Sequence, residues 1–147
     1  MAASKSKDIR DGIISVIEPI QRDGEDAFMD VLGHTHGQFD SFPSVRVLPV
    51  QVDPERAAYR QSDRTVAFIA RTYVEVKNDG SDFDMMYELT DLIVDALEKA
   101  DADNTFHQDL ATYQMAVSQG EWSEEETQSG TLLMADVNIE VTYSHNV

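Results

Sequence analysis

Thr65-Val66-Ala67-Phe68-Ile69-Ala70-Arg71-Thr72-Tyr73-Val74-Glu75-Val76 is the stretch on which the fold turns. Val66, Phe68, Ala70, Thr72, Val74 and Val76 fall on one face and Ala67, Ile69, Arg71, Tyr73 and Glu75 on the other, the two-residue period of a strand. Asn78, Asp79 and Gly80 end it, and Ser81 or Asp82 is placed to cap a helix. From Phe83 the period lengthens. Phe83, Met86, Leu89, Ile93, Ala96, Leu97 and Ala100 recur at helical spacing, which predicts a helix of about 27 Å over Phe83 to Ala100, packed across a sheet. The two-residue period then returns: Leu133, Ala135, Val137, Ile139, Val141 and Tyr143 alternate with Met134, Asp136, Asn138, Glu140 and Thr142.

Upstream, Ile9, Ile13, Val16 and Ile17 form one helical stripe over Lys7 to Glu18, with Ser6 as the expected N-cap and Asp8 and Asp11 near the positive end of the dipole. Pro19 cannot continue a helix, which should end near Glu18, and Gly24 lies in a polar turn. Ala27 to Leu32 reads as a short strand, and His34, Gly37, Asp40, Ser41 and Pro43 mark a loop. Val45, Val47, Val50 and Val52 suggest an extended segment interrupted by Pro49, so this strand is an edge, bulged or broken. Arg56 to Asp63 is polar and crosses the surface. Downstream, Leu110 to Ser118 carries Tyr113, Met115 and Val117 on one face, and an acidic segment, Gly120 to Gly130, links it to the last strand as a long hairpin. At about 3.3 Å per residue the last strand reaches roughly 40 Å, more than a small core needs, and surplus strand backbone calls for a neighbouring subunit. The class is α+β, one domain over 1–147, with a mixed, mostly antiparallel sheet packed by an N-terminal helix and one long central helix.

Composition narrows the function. The chain has 147 residues, 41% hydrophobic and 27% charged, enough apolar surface for one core. No apolar run approaches the roughly 20 residues of a membrane helix, and Met1 to Asp8 lacks the layout of a secretory signal. Cysteine is absent, which removes disulfides and thiolate metal sites and favours neither redox compartment. With 28 acidic and 11 basic residues the formal charge is −17, a surface that repels a phosphate backbone. Asp outnumbers Glu and Arg outnumbers Lys, as expected of a protein from a high-salt habitat, where self-repulsion is screened; ordinary solubility charge is the plainer account.

No constellation points to catalysis, a cofactor or a metal. His34 and His36 are spaced to share a metal in an extended segment, but no third ligand is indicated; His107 and His145 read as isolated surface residues. Asp101, Asp103 and Thr105 resemble the start of a calcium loop, yet Phe106 replaces its glycine and Thr112 its bidentate glutamate. Asp79 to Asp84 is explained by a turn and a helix cap. There is no Gly-x-Ser-x-Gly elbow and no glycine-rich phosphate loop, and carboxylates are too numerous to single out an acid and base. Trp122 either packs over the sheet edge or anchors a subunit interface, where Tyr143 is also expected; Glu124, Glu125 and Glu126 form an acidic loop that in a ring would face a channel.

This layout resembles the tail terminator, or tail completion, proteins of long-tailed viruses of bacteria and archaea. The resemblance covers most of the chain: the helix at Ile9 to Glu18, the Phe42-Pro43 turn leading into Val45-Arg46-Val47, Thr65 to Val76, the helix Phe83 to Lys99, and the closing strand Val137 to Tyr143. It is one of pattern, shared with other neck and minor tail proteins. It implies a hexameric ring that caps the tail tube, ends its polymerisation and joins the tail to the head connector, in the virion after assembly in the host cytoplasm. DNA would pass through without specific binding, and no membrane is involved. The alternatives are a head-tail connector or minor tail protein and, more remotely, an acidic binding module or nucleic-acid mimic.

Overall fold

The computed structural model describes residues 4–34, 41–51, 63–77, 80–128 and 130–144. Helix α1 (Lys5–Ile17) buries Ile9, Ile13 and Ile17 completely, with Val16 half-buried against the same core. Its N-cap is Ser4, not Ser6, because the Ser4 Oγ accepts from the Lys7 N–H at 3.2 Å. The helix stops one residue before the expected Glu18, which serves as its C-cap. Asp23 and Gly24, both at positive φ, then turn a small hairpin of β1 (Gln21–Arg22) and β2 (Glu25–Asp26).

Ala27 to Leu32 is a strand only at its end. Ala27 and Phe28 are buried but irregular, and β3 (Asp30–Leu32) pairs parallel with the start of β4 (Ser44–Val50). β4 runs unbroken through Pro49 and pairs antiparallel with β5 (Asp63–Glu75) along its whole length. β3 covers only Ser44 to Arg46, so Pro49 sits where the other side of β4 has no strand partner among the described residues, the place where a missing amide hydrogen costs least. Val52, the surface segment Arg56 to Ser62, His36 and His145 lie outside the described residues.

Helix α2 (Ser81–Ala102) buries Met86, Leu89, Ile93, Leu97 and Ala100 on the sheet. Phe83, expected on that stripe, is 39% exposed. The N-cap is Gly80 in the left-handed region, with no side-chain cap; the buried Asp82 carboxylate turns back to accept from the Lys77 N–H at 2.6 Å and pins the β5-to-α2 connection. After a left-handed Asn104, the short α3 (Thr105–Leu110) leads through a left-handed Ala111 into β6 (Thr112–Thr127) and β7 (Gly130–Ser144).

The main sheet has the order β3-β4-β5-β7-β6, antiparallel except at β3. The fold is therefore α+β with a mostly antiparallel sheet, as the periods predict. Helices α1 and α2 cover one face: α1 against β3, β4 and α2, and α2 against β5, β7 and β6. Core-facing Val47, Ala70, Val137 and Ile139 are buried at 0% exposure. No helix among the described residues is long and apolar enough to cross a membrane.

Two expectations about the tail need correction. Gly120 to Thr127 is strand, not a linking segment, and the ladder runs to the pair Thr127 and Gly130 at its end. The acidic stretch lacked an apolar alternation because it lies on an edge strand, where both faces meet water. The surplus length of β7 also leaves no free backbone there, since β5 pairs with it from Asp63 to Glu75 on one side and β6 on the other. The unpaired backbone has moved outward, to β6.

Candidate interaction surfaces

β6 is 16 residues long, about 50 Å at 3.3 Å per residue, and has no second strand partner among the described residues. Its ladder with β7 is broken twice. The register shift between Thr112 and Gln114 throws Tyr113 outward at 49% exposure while Thr112 and Met115 both stay buried, so Met115 and Val117 share the core-side face as expected and Tyr113 leaves it. The second shift, between Gln119 and Trp122, sets Gly120 and Glu121 against Asp136 alone. A Cβ on Gly120 would stand 2.8 Å from the Asp136 carbonyl oxygen, which is why glycine fits this bulge.

Beyond the bulge Trp122 returns to the helix side. Its ring is stacked on Phe83 (centroids 6.3 Å, interplanar 16°) and tilted on Tyr87 (4.6 Å, 45°). Tyr87 is 61% exposed and Phe83 partly so, which makes the trio an aromatic patch on the rim between α2 and β6. Acidic residues frame it: Asp84, Glu88, Asp91 and Glu121 are exposed. Glu88 takes Arg22 at 2.7 Å, and the Asp91 carboxylate accepts from Gln119 Nε2 at 3.1 Å. Glu124, Glu125 and Glu126 continue the same edge, exposed and held in a ladder opposite Leu133, Leu132 and Thr131. They therefore lie in a strand and not in the expected acidic loop.

Tyr143 lies elsewhere. It is 8% exposed, part of the subunit's own core, with the Lys5 ammonium 5.4 Å above its ring and Lys5 also donating to the Leu110 carbonyl. Trp122 and Tyr143 are thus not brought together, and Tyr143 spends its surface inside the subunit.

The sheet face away from the helices is uneven. Ser44, Arg46 and Tyr73 are buried on it, whereas Val50, Ala67, Ile69, Ala116, Asn138 and Glu140 border a shallow concavity of about 530 Å³. Arg46 and Arg71 are direct cross-strand neighbours, an arrangement that flanking acids offset. Asp30 meets Arg46 at 3.2 Å, and Asp136 takes Arg71 in a fork, Nε to Oδ1 at 2.8 Å and Nη2 to Oδ2 at 3.1 Å. The Asp136 hydrogen bonds raise the Arg71 pKa further, so the guanidinium stays charged; burial raises the Tyr73 phenol above its ordinary value.

His107, read from sequence as an isolated surface residue, is 6% exposed and bridges two elements. Its Nε2 lies 2.6 Å from Asp101 Oδ1 and its Nδ1 2.6 Å from Thr112 Oγ1. The order carboxylate, imidazole, hydroxyl could serve a nucleophile, but the Thr112 hydroxyl belongs to a side chain 7% exposed; as placed, the chain of bonds ties α2 and α3 to the start of β6. Sequence spacing alone offered no signal for it, because the left-handed turns at Asn104 and Ala111 set the geometry. Among the described residues no group of three or more His, Asp or Glu side chains is gathered as a metal would require.

Comparison with protein-family models gave no match, and none of the curated proteins matches the chain.

Proposed function

We propose that this chain is a structural virion protein of the tail terminator kind: copies close into a hexameric ring on the end of the tail tube, stop its growth and offer the far face to the head connector. The observation that carries the proposal is the outer edge of β6, a long strand margin left without a strand partner among the described residues, beside an exposed aromatic patch. Proteins that work alone normally shorten or cover such an edge; β6 is neither shortened nor covered by a strand among the described residues, and its two bulges still leave regular runs from Gln114 to Gln119 and from Trp122 to Thr127 open to strand addition. In this reading the β6 edge takes up a strand of the tube or connector protein, while the ring closes through other lateral surfaces of the subunit. The sequence pattern of helix, long strand, helix and long hairpin supports the same reading. So does the charge of −17, since a lumen of that sign does not hold a phosphate backbone in transit.

The test is tube growth. Purified tail-tube protein from the source virus is polymerised with increasing amounts of the chain and imaged by electron microscopy. Capping gives shorter tubes with a ring at one end. Tubes of unchanged length with no added end density would overturn the proposal, and binding to the connector alone would favour the neck-protein alternative.

A further inference from the structure

We infer that the outer edge of β6 receives an extended, cation-bearing segment of a different protein, not the edge of a second copy. This goes beyond the capping proposal, because it concerns the chemistry of whatever covers β6 and holds for a ring or a monomer.

Charge decides between the two occupants. No Lys or Arg occurs after Lys99 in the sequence, so the whole β6–β7 hairpin carries Glu121, Glu124, Glu125, Glu126, Asp136 and Glu140 with no Lys or Arg of its own. Pairing β6 with β6 of a second copy would set rows of carboxylates against each other, and like charges directly opposite destabilise a ladder. Among the described residues the other margins of the main sheet do not supply a row of cations either. β3 presents Asp30, Val31 and Leu32, and the uncovered part of β4 is Val47 to Val50, interrupted by Pro49. Arg46 is 1% exposed and turned to Asp30. The start of β5 beyond β4 offers one exposed cation, Arg64.

Spacing then describes the segment. Trp122, Glu124 and Glu126 stand at alternate positions and share the α2 side of β6. A strand laid along the edge would present every second side chain to them. Lys or Arg at those positions would pair with Glu124 and Glu126, and one near Trp122 would lie over the rings of Trp122 and Tyr87 within the acidic frame of Asp84, Glu88 and Glu121. The main chain would supply affinity and the alternate cations selectivity.

Trp122 is the chain's single tryptophan, so its emission reports directly on the site. The probe is a labelled peptide of about ten residues alternating lysine with threonine and valine, long enough to span the hairpin edge. Its binding is read by anisotropy and by Trp122 fluorescence at physiological salt. Two further peptides match it, one with glutamate for lysine and one with proline at alternate threonine and valine positions. The lysine peptide should bind and shift the Trp122 emission, while the other two bind at least about tenfold more weakly. The double variant Glu124→Lys/Glu126→Lys, at exposed positions, should weaken binding about tenfold, whereas the same change of charge on exposed turns of α2, Asp95→Lys/Glu98→Lys, should not. Equal binding of the proline peptide, or equal weakening by the α2 variant, would reduce the effect to bulk charge and overturn the inference. So would a stable dimer of the pure chain with the β6 amides protected. A failure of tube capping leaves all of these readouts intact, so the two failures are separable.

Discussion

Tyr73 and its neighbours show how single residues on the less covered sheet face affect the fold. The phenol is 5% exposed and burial raises its pKa, so the folded chain keeps this proton to higher pH than the unfolded chain does. Its contribution to stability is therefore complete below pH 10 and is lost as pH rises from there through the raised folded value. Urea unfolding from about pH 9 to 11 should show a decline in the parent chain that Tyr73→Phe makes shallower, by at most one proton's worth, about 1.4 kcal/mol per pH unit. Parallel declines would mean that Tyr73 ionises alike in both states. The Arg71–Asp136 fork beside it was not legible in the sequence. The two residues are 65 apart, and only the β5–β7 register, Arg71 opposite Asp136, brings them together.

At the scale of elements, the strands and helices with one wet face and one dry face were legible, and those without were not. β5, α2 and β7 follow their apolar periods because each is packed on one side by the core. In β6 the period held for Met115 and Val117 and failed elsewhere, because two bulges reset the alternation and Glu124 to Glu126 are exposed on both faces. Glycine at the second bulge is the one local clue. Gly120→Ala would drive a methyl against the Asp136 carbonyl oxygen, and backbone cannot swing away as a side-chain end can. That variant should lose about 1–3 kcal/mol in urea unfolding and move Trp122 relative to Phe83, read by its fluorescence. An unchanged midpoint would show that the bulge relaxes freely. Phe83 shares the helical spacing of the core stripe, yet it is 39% exposed and its ring stacks on Trp122.

The whole molecule is a strongly acidic subunit whose sheet is covered by its own helices on one face and whose longest margin without a strand partner, among the described residues, is β6. A formal charge of −17 on a single domain repels itself, and about 1 M salt shortens the screening length to roughly 3 Å. The melting temperature should therefore rise between about 0.05 and 1 M potassium chloride by several degrees; a fall would mean that ion pairs such as Arg71–Asp136 outweigh repulsion. Assembly through the outer edge of β6 is read most directly by hydrogen exchange resolved at single amides along 113–127. In the isolated chain, amides of β7 should exchange slowly throughout, while alternate amides of β6, those pointing away from β7, exchange fast; on assembled tubes the fast set should become slow. Uniformly slow β6 amides in the isolated monomer, or no change on assembly, would contradict the claim that this margin is kept for a partner.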